Sequence, residues 1–293
     1  MNSSEDKNAD GKKPSFAFYG HHKCATMTFI AIVGAVCKRL GMKFTVVYDE
    51  DQFSHQLGNF AFENQIDFLG YGNADIEFVR ELPKHRGFHI IRDPRDIVIS
   101  AYFSHLHSHS TTHWKELKQH REKLRMLSIG DGISEEITFR SRSFGHMQSW
   151  DYDQADILEV RFEDYVSSNY ETLIRIFSFL GLLDTDAYPF SSRLMSVHRD
   201  IAAYLGRRLS WYWPGRLGPR ALPVPELLAI AWRNSFQFRS KGRLVGQEDT
   251  RSHYRKGKSG DWTEYFSDSH KELFKSLYPG LVPKLKYHPD DAW

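Results

Sequence analysis

An excess of charge of either sign is missing from this chain. Its 39 Lys and Arg residues stand against 37 Asp and Glu, so nothing favours electrostatic capture of a nucleic-acid backbone, and any basic site has to be local. Long apolar runs are missing as well. The longest, Phe29 to Cys37, falls short of the roughly 20 residues that cross a bilayer and reads as a buried helix. The polar N-terminus, Met1 to Lys13, lacks the apolar centre of a signal peptide and is expected to be a disordered tail. Cysteine is scarce: Cys24 and Cys37 fall in one stretch, with neither a disulfide framework nor a zinc spacing. A cytoplasmic, reducing setting is therefore expected, with no membrane and no nucleic acid as partner. No internal repeat or low-complexity linker is found, and the Gly/Pro-rich stretch Trp213 to Pro225 reads as a long surface loop.

What is present is enough apolar material for a large core: 41% hydrophobic and 14% aromatic residues in 293. This fits one large α/β domain, residues 14–293. Ser15 to Gly20 reads as a strand delivering its C-terminal end to a binding loop. Ile30, Val33, Cys37 and Leu40 then mark one face of a helix that Gly41 terminates. Further strands are expected at Lys43 to Tyr48, Gly87 to Ile91 and Ile157 to Arg161, with helical patterns between them. The alternation predicts a central parallel sheet flanked by helices. Helices are expected from Trp114 to Leu127, Glu135 to Trp150, Val166 to Leu180 and Pro225 to Phe238, leaving a mostly helical C-terminal part.

Three segments carry chemistry. Gly20-His21-His22-Lys23-Cys24-Ala25-Thr26-Met27-Thr28 joins the first strand to the first helix. There, unpaired N–H groups, the helix dipole, the Lys23 charge and two threonine hydroxyls suit a phosphate or phosphosulfate. The structural alternative is that Thr26 caps the helix and Lys23 is solvated; the full Walker glycine pattern is absent. In Ile91-Arg92-Asp93-Pro94-Arg95-Asp96, with Ser100 two turns later, Arg92 stands at the C-terminal end of a strand, where α/β ligands bind. Alternatively, Asp93 caps a helix while Arg92 and Arg95 pair with Asp96. The third segment is Arg255-Lys256-Gly257-Lys258-Ser259-Gly260-Asp261-Trp262. It clusters cations that call for a counter-anion, or else it forms a flexible charged loop.

Together the three segments resemble the sulfotransferase superfamily. Its 5′-phosphosulfate loop is similar to His22 through Thr28, its 3′-phosphate motif to Arg92 through Asp96 with Ser100, and its R-K-G-x-x-G-D-W to Arg255 through Trp262. Val160-Arg161-Phe162-Glu163-Asp164 with Phe179 to Leu182, and Asn234-Ser235-Phe236, are similar to further family segments. The resemblance spans Phe16 to Trp262 in the family's order and implies a P-loop-like nucleotide-binding core. The implied donor is 3′-phosphoadenosine 5′-phosphosulfate (PAPS), held by Lys23, Cys24, Ala25, Thr26, Met27, Thr28, Arg92, Ser100, Phe162, Ser235, Phe236, Arg255, Lys256 and Gly257. No metal is implied. Ala25 stands where the family usually has glycine, Met27 where it has a second threonine, and His22 where it has proline.

The family's cytosolic histidine base, in K-[TS]-H-L-P, has no counterpart at Leu69-Gly70-Tyr71-Gly72-Asn73. Other branches use a carboxylate after the first helix, which makes Glu50, beside Asp49 and Asp51, the candidate base. Lys23 is the candidate that stabilises the leaving phosphate. His105, His107, His109 and His113 offer another base or a metal site, and are expected at a pocket rim or a solvated helix end. Trp211, Tyr212 and Trp213 could form an acceptor lid or pack on the core. The expected activity is sulfuryl transfer to a hydroxyl or amine of a small-molecule or carbohydrate acceptor. A nucleotide kinase and an inactive nucleotide-binding protein are the alternatives.

Overall fold

The computed structural model describes residues 14–112, 114–184 and 221–293. Its centre is a five-stranded parallel sheet in the order β2-β3-β1-β4-β5. The strands are β1 (Phe16–Tyr19), β2 (Phe44–Val47), β3 (Phe68–Tyr71), β4 (Arg86–Ile91) and β5 (Ile157–Arg161). Four of them fall where the sequence predicts strands. The fifth, β3, was not anticipated, although it pairs with both β1 and β2. Its short sequence Phe-Leu-Gly-Tyr is followed by Gly72 and shows no alternation, because all four residues are buried and a strand covered on both faces has none to show.

Period-two alternation along β1 sends Phe18 to one apolar cluster and Ala17 and Tyr19 to another. The sheet is thus covered on both faces. On the larger side Phe18 packs on Phe29 and Phe88 at 5.8 and 5.0 Å between ring centres. Phe29 belongs to α1 (Thr26–Leu40), which Gly41 ends in the left-handed conformation at φ 66. That is the stop the sequence predicts.

The chain leaves β1 through α1 towards β2 at one edge, whereas it leaves β4 towards β5 at the other. Loops that diverge from adjacent parallel strands open a crevice at the carboxyl end of the sheet. The register Tyr19↔His89 places the segments after β1 and after β4 side by side.

Three expected helices are each broken in two. The expected helix Glu135 to Trp150 is α6 (Ile129–Phe139) and α7 (Ser141–Ser149), separated at Arg140. Val166 to Leu180 is α8 (Phe162–Ser167) and α9 (Asn169–Phe179), separated at Ser168. Pro225 to Phe238 resolves into Val224–Arg233 and Phe236–Arg239, the second capped by the Ser235 hydroxyl, which accepts from Phe238 N–H. In contrast, α5 (Lys115–Met126) agrees with the expected span within a residue at each end. Beyond Trp262 the chain is short helices and turns, as expected for a helical C-terminal part. Among the described residues, no helix is long and apolar enough to cross a membrane. The expected N-terminal tail, His113, the Trp211 to Trp213 lid and the first part of the Trp213 to Pro225 loop lie outside the described residues.

Candidate active site

Between β1 and α1 the backbone turns twice through left-handed conformations, at Lys23 (φ 69) and Ala25 (φ 58). Such values favour glycine, so Ala25 keeps the path of the glycine it replaces at a steric cost. Thr26 does not cap the helix: its hydroxyl donates to the His21 carbonyl at 2.7 Å and closes the loop from within. Gly20 makes that closure possible, since a Cβ there would lie 2.9 Å from the Thr26 hydroxyl. Cys24 is fully buried, and burial pushes its thiol up to about 12. Thr28 is buried, whereas Met27 is half exposed and turned towards Tyr48, whose hydroxyl lies 3.6 Å from its sulfur.

Lys23 sits in a crevice that leaves part of its surface open while protein crowds its ammonium. Burial pulls its pKa down to about 7, helped by the charges of Arg92, Arg140 and Arg255 and opposed by Glu136. No carboxylate pairs with it among the described residues. Lys23, Arg92, Arg140 and Arg255 therefore meet at the carboxyl end of β1 and β4, with Glu136 the carboxylate that opposes the fall of the Lys23 pKa, an arrangement suited to an anion.

Arg92 follows β4 and is buried. It donates to the Lys23 carbonyl at 3.3 Å and lies over the Phe162 ring at 4.3 Å, while its Nε has no hydrogen-bond partner among the described residues. Its contact with Asp96 is long, 3.9 Å. Arg95 takes the structural role instead: it grips Asp93 at 2.7 Å and lies 3.9 Å above the Trp262 ring. Asp93 also caps α4 (Pro94–Phe103). Nine of the ten residues of α4 are buried and the tenth is Ser100, so the hydroxyl expected to meet phosphate is where this helix reaches the surface.

The basic glycine loop is tied down from both ends. Asp96 accepts from Gly260 N–H at 2.6 Å and from Trp262 N–H at 3.0 Å. Arg255 pairs with Glu248 and Asp261, and Lys256 with Asp261 at 2.8 Å. Arg255 and Lys256 therefore already have counter-anions within the chain, so charge crowding at these two residues does not by itself call for a ligand. Gly257, at φ 65, lies so close to Phe236 that a Cβ would come within 2.6 Å of the ring. The Ser235-Phe236 segment and the glycine loop thus form one unit.

Glu50 stands apart from this group. It is bound by Arg142 and, like Arg142, lies outside the charges that set the Lys23 pKa. Its own backbone N–H first, and Arg142 next, hold it below the usual carboxylate range. Asp49 and Asp51 are exposed.

The histidines depart most from expectation. His105 is fully buried, on a π-turn (Ser104–Ser108), and is neither on a rim nor solvated; His107 is exposed. The buried Glu136 carboxylate accepts from His105 Nδ1 at 2.9 Å and from His120 Nε2 at 2.8 Å. Arg140 Nε stands 3.0 Å from the other Glu136 oxygen, though its N–H does not point there. Arg140 also reaches His22 Nδ1 at 2.8 Å. The His105, His120 and Glu136 donors lie within 4.8 Å of one another, close enough to hold a metal ion. Here the Arg140 guanidinium already balances the carboxylate, and both histidines already donate to it. Sequence reading missed Glu136, His120 and Arg140, because nothing in the spacing of residues 105, 120, 136 and 140 places them together.

Residues 77–186 match the model of the sulfotransferase family. That span contains β4, α4 and β5, with Arg92, Ser100 and Phe162; the loops of Lys23 and Arg255 lie outside it and meet it in space. Over that span the chain is similar to the sulfotransferase family. Among solved structures, mouse sulfotransferase SULT7A1 complexed with PAP is similar in fold, with a TM-score of 0.50 and 15% identity over 92% of this chain and 85% of that one. Retinol dehydratase in complex with androsterone and inactive cofactor PAP is also matched, with a TM-score of 0.44 and 13% identity over 92% and 81% of the two chains. No curated protein matches in sequence. The likeness to SULT7A1 is one of fold, centred on the parallel sheet.

Proposed function

We propose that this chain is a sulfotransferase that takes its sulfuryl group from PAPS, bound in the crevice between β1 and β4, and passes it to an acceptor. The observation that carries the reading is the pair of neighbouring cations at that crevice. Among the described residues, Lys23 has no ion-pair partner and the buried Arg92 Nε has no hydrogen-bond partner. Two such groups fit two phosphates. PAPS, when bound, supplies the group that is transferred. Backbone N–H groups at the start of α1 and the Lys23 ammonium would hold the 5′ end, while Arg92 and Ser100, with the Arg255 loop nearby, would hold the 3′-phosphate. The ammonium would gain most as charge grows on the leaving oxygen.

The kinase alternative needs a carboxylate free to hold magnesium. Asp93 is engaged by Arg95, and Asp96 by the Gly260 and Trp262 amides. Calorimetry tests the reading: 3′-phosphoadenosine 5′-phosphate (PAP) is expected to bind far more tightly than ATP with magnesium. Arg92→Ala should weaken PAP by about 1.5 to 3 kcal/mol, the worth of a charge-assisted bond. Equal or tighter ATP binding would overturn the reading.

A further inference from the structure

The hydrogen-bonding protons on His22 and His105 can be assigned by elimination. A guanidinium only donates, so the Arg140 contact at 2.8 Å makes His22 Nδ1 an acceptor and leaves the ring proton on Nε2. Glu136 is ionised, with its pKa held down to about 2 against the burial penalty by His105, Arg140 and His120. It only accepts, so His105 carries its proton on Nδ1 and keeps a lone pair on Nε2. Among the described residues, both Nε2 atoms are buried without a hydrogen-bond partner. The two rings are stacked, 5.1 Å apart and 19° from parallel, and His109 and Trp114 wall them edge-on.

One free donor beside one free acceptor is the complement of a single hydroxyl. We propose that His22 and His105 form the seat of the acceptor's hydroxyl, with His22 Nε2–H donating to its oxygen and His105 Nε2 taking its proton. The inference rests on the sulfotransferase reading above. In the step, the acceptor O–H bond breaks and its proton passes to His105 Nε2. The oxygen's electron pair forms the new O–S bond. The S–O bond to the donor phosphate breaks with its pair remaining on the phosphate, beside Lys23. Glu136 holds His105 in the useful tautomer and stabilises the imidazolium that forms, as a buried carboxylate does for a catalytic histidine. Arg140 does the corresponding work for His22. An ammonium does not suit this seat, because Lys23 and Arg140 both bear on His22 with positive charge. The family's proline at position 22 could not supply the donor, which makes the seat a property of this chain.

The test uses the full chain with PAPS as donor and benzyl alcohol or benzylamine as acceptor. His105→Asn keeps an N–H for Glu136 but removes the base, and His105→Ala leaves a cavity that added imidazole can fill. Both variants are expected to bind PAP as the parent does and to lose at least about a hundredfold in single-turnover rate on benzyl alcohol. Imidazole should restore part of the rate in the alanine variant. Nitrogen NMR of labelled histidine in the donor-free protein should show His22 protonated on Nε2 and His105 on Nδ1, with both Nε2 signals moving when benzyl alcohol is added. A full rate in His105→Asn, the opposite tautomers, or faster transfer to benzylamine would overturn the proposal and leave the donor reading standing. Failure of the parent chain to bind PAP would instead remove the reading beneath it.

Discussion

Lys23 is the residue whose state most directly reports what occupies the crevice. With its pKa drawn down to about 7, its side chain is mostly uncharged at about pH 8, although a lysine in water is charged there. A phosphate beside it would restore the charge. PAP binding at about pH 8 should therefore take up a proton, and affinity should fall as pH rises from about 7 towards the ordinary lysine range. Calorimetry in two buffers of different ionisation heat measures the uptake, and Lys23→Ala should abolish it while lowering the rate on the order of a hundredfold. Binding without uptake would place the phosphate elsewhere. Two residues on, Ala25 holds a left-handed conformation at φ 58. Ala25→Gly should relieve about 1 kcal/mol of strain and raise the melting temperature by a few degrees, with PAP affinity kept. A drop in melting temperature would show that the alanine methyl packs better than its backbone suffers.

At the scale of elements, α4 acts as the tie between the strand that presents Arg92 and the distant glycine loop. Its first turn contains Asp96, whose two oxygens take the amides of Gly260 and Trp262. Burial raises the pKa of this carboxyl, with Arg92 opposing that shift. Asp96→Ala strands two amides and should cost about 1 to 3 kcal/mol of stability. It should also weaken PAP binding, because the segment from Arg255 to Trp262 loses its register over the crevice. Urea denaturation alongside PAP titration separates the two effects. Unchanged affinity in a destabilised variant would mean that the loop serves the fold and not the phosphate. The breaks at Arg140 and Ser235 serve similar ends. A continuous helix through residue 140 would remove the separation of α6 from α7 at which the Arg140 guanidinium meets both Glu136 and His22.

For the whole molecule, buried titratable groups make stability fall on acidification. His21 and His22 are held neutral, their pKa values lowered first by burial, and His105 is lowered to about 4. The unfolded chain binds protons on these groups below about pH 6.5 and the folded chain does not, so stability is lost as pH falls from there. Glu136, depressed to about 2, adds a contribution that is full above the ordinary carboxylate range and is lost as pH falls through it towards 2. The urea midpoint should therefore drop steadily from about pH 7 to pH 4, with little change in denaturant slope. Glu136→Gln should cost about 3 to 5 kcal/mol at neutral pH, since it leaves Arg140 buried without its carboxylate. A midpoint that stays flat down to about pH 5 would contradict the neutral histidines. Much of this molecule was legible in its sequence: the fold class, four of five strands, the C-terminal end of α1, both ends of α5, and the three segments that meet at the crevice. These are signalled by nearest neighbours in the chain, through period, caps and glycines, and such signals survive without knowledge of distant contacts. The sequence could not place β3, whose burial on both faces erases alternation, nor show that Glu248 and Asp261 pair with Arg255 and Lys256. It gave no sign of Glu136, Arg140 and His120 closing on His105 and His22, because that meeting depends on how α5, α6 and the turn after α4 pack together. Local patterning marked the segments that meet at the crevice; only packing between elements far apart in the chain decided which histidine nitrogens are left without a partner beside it.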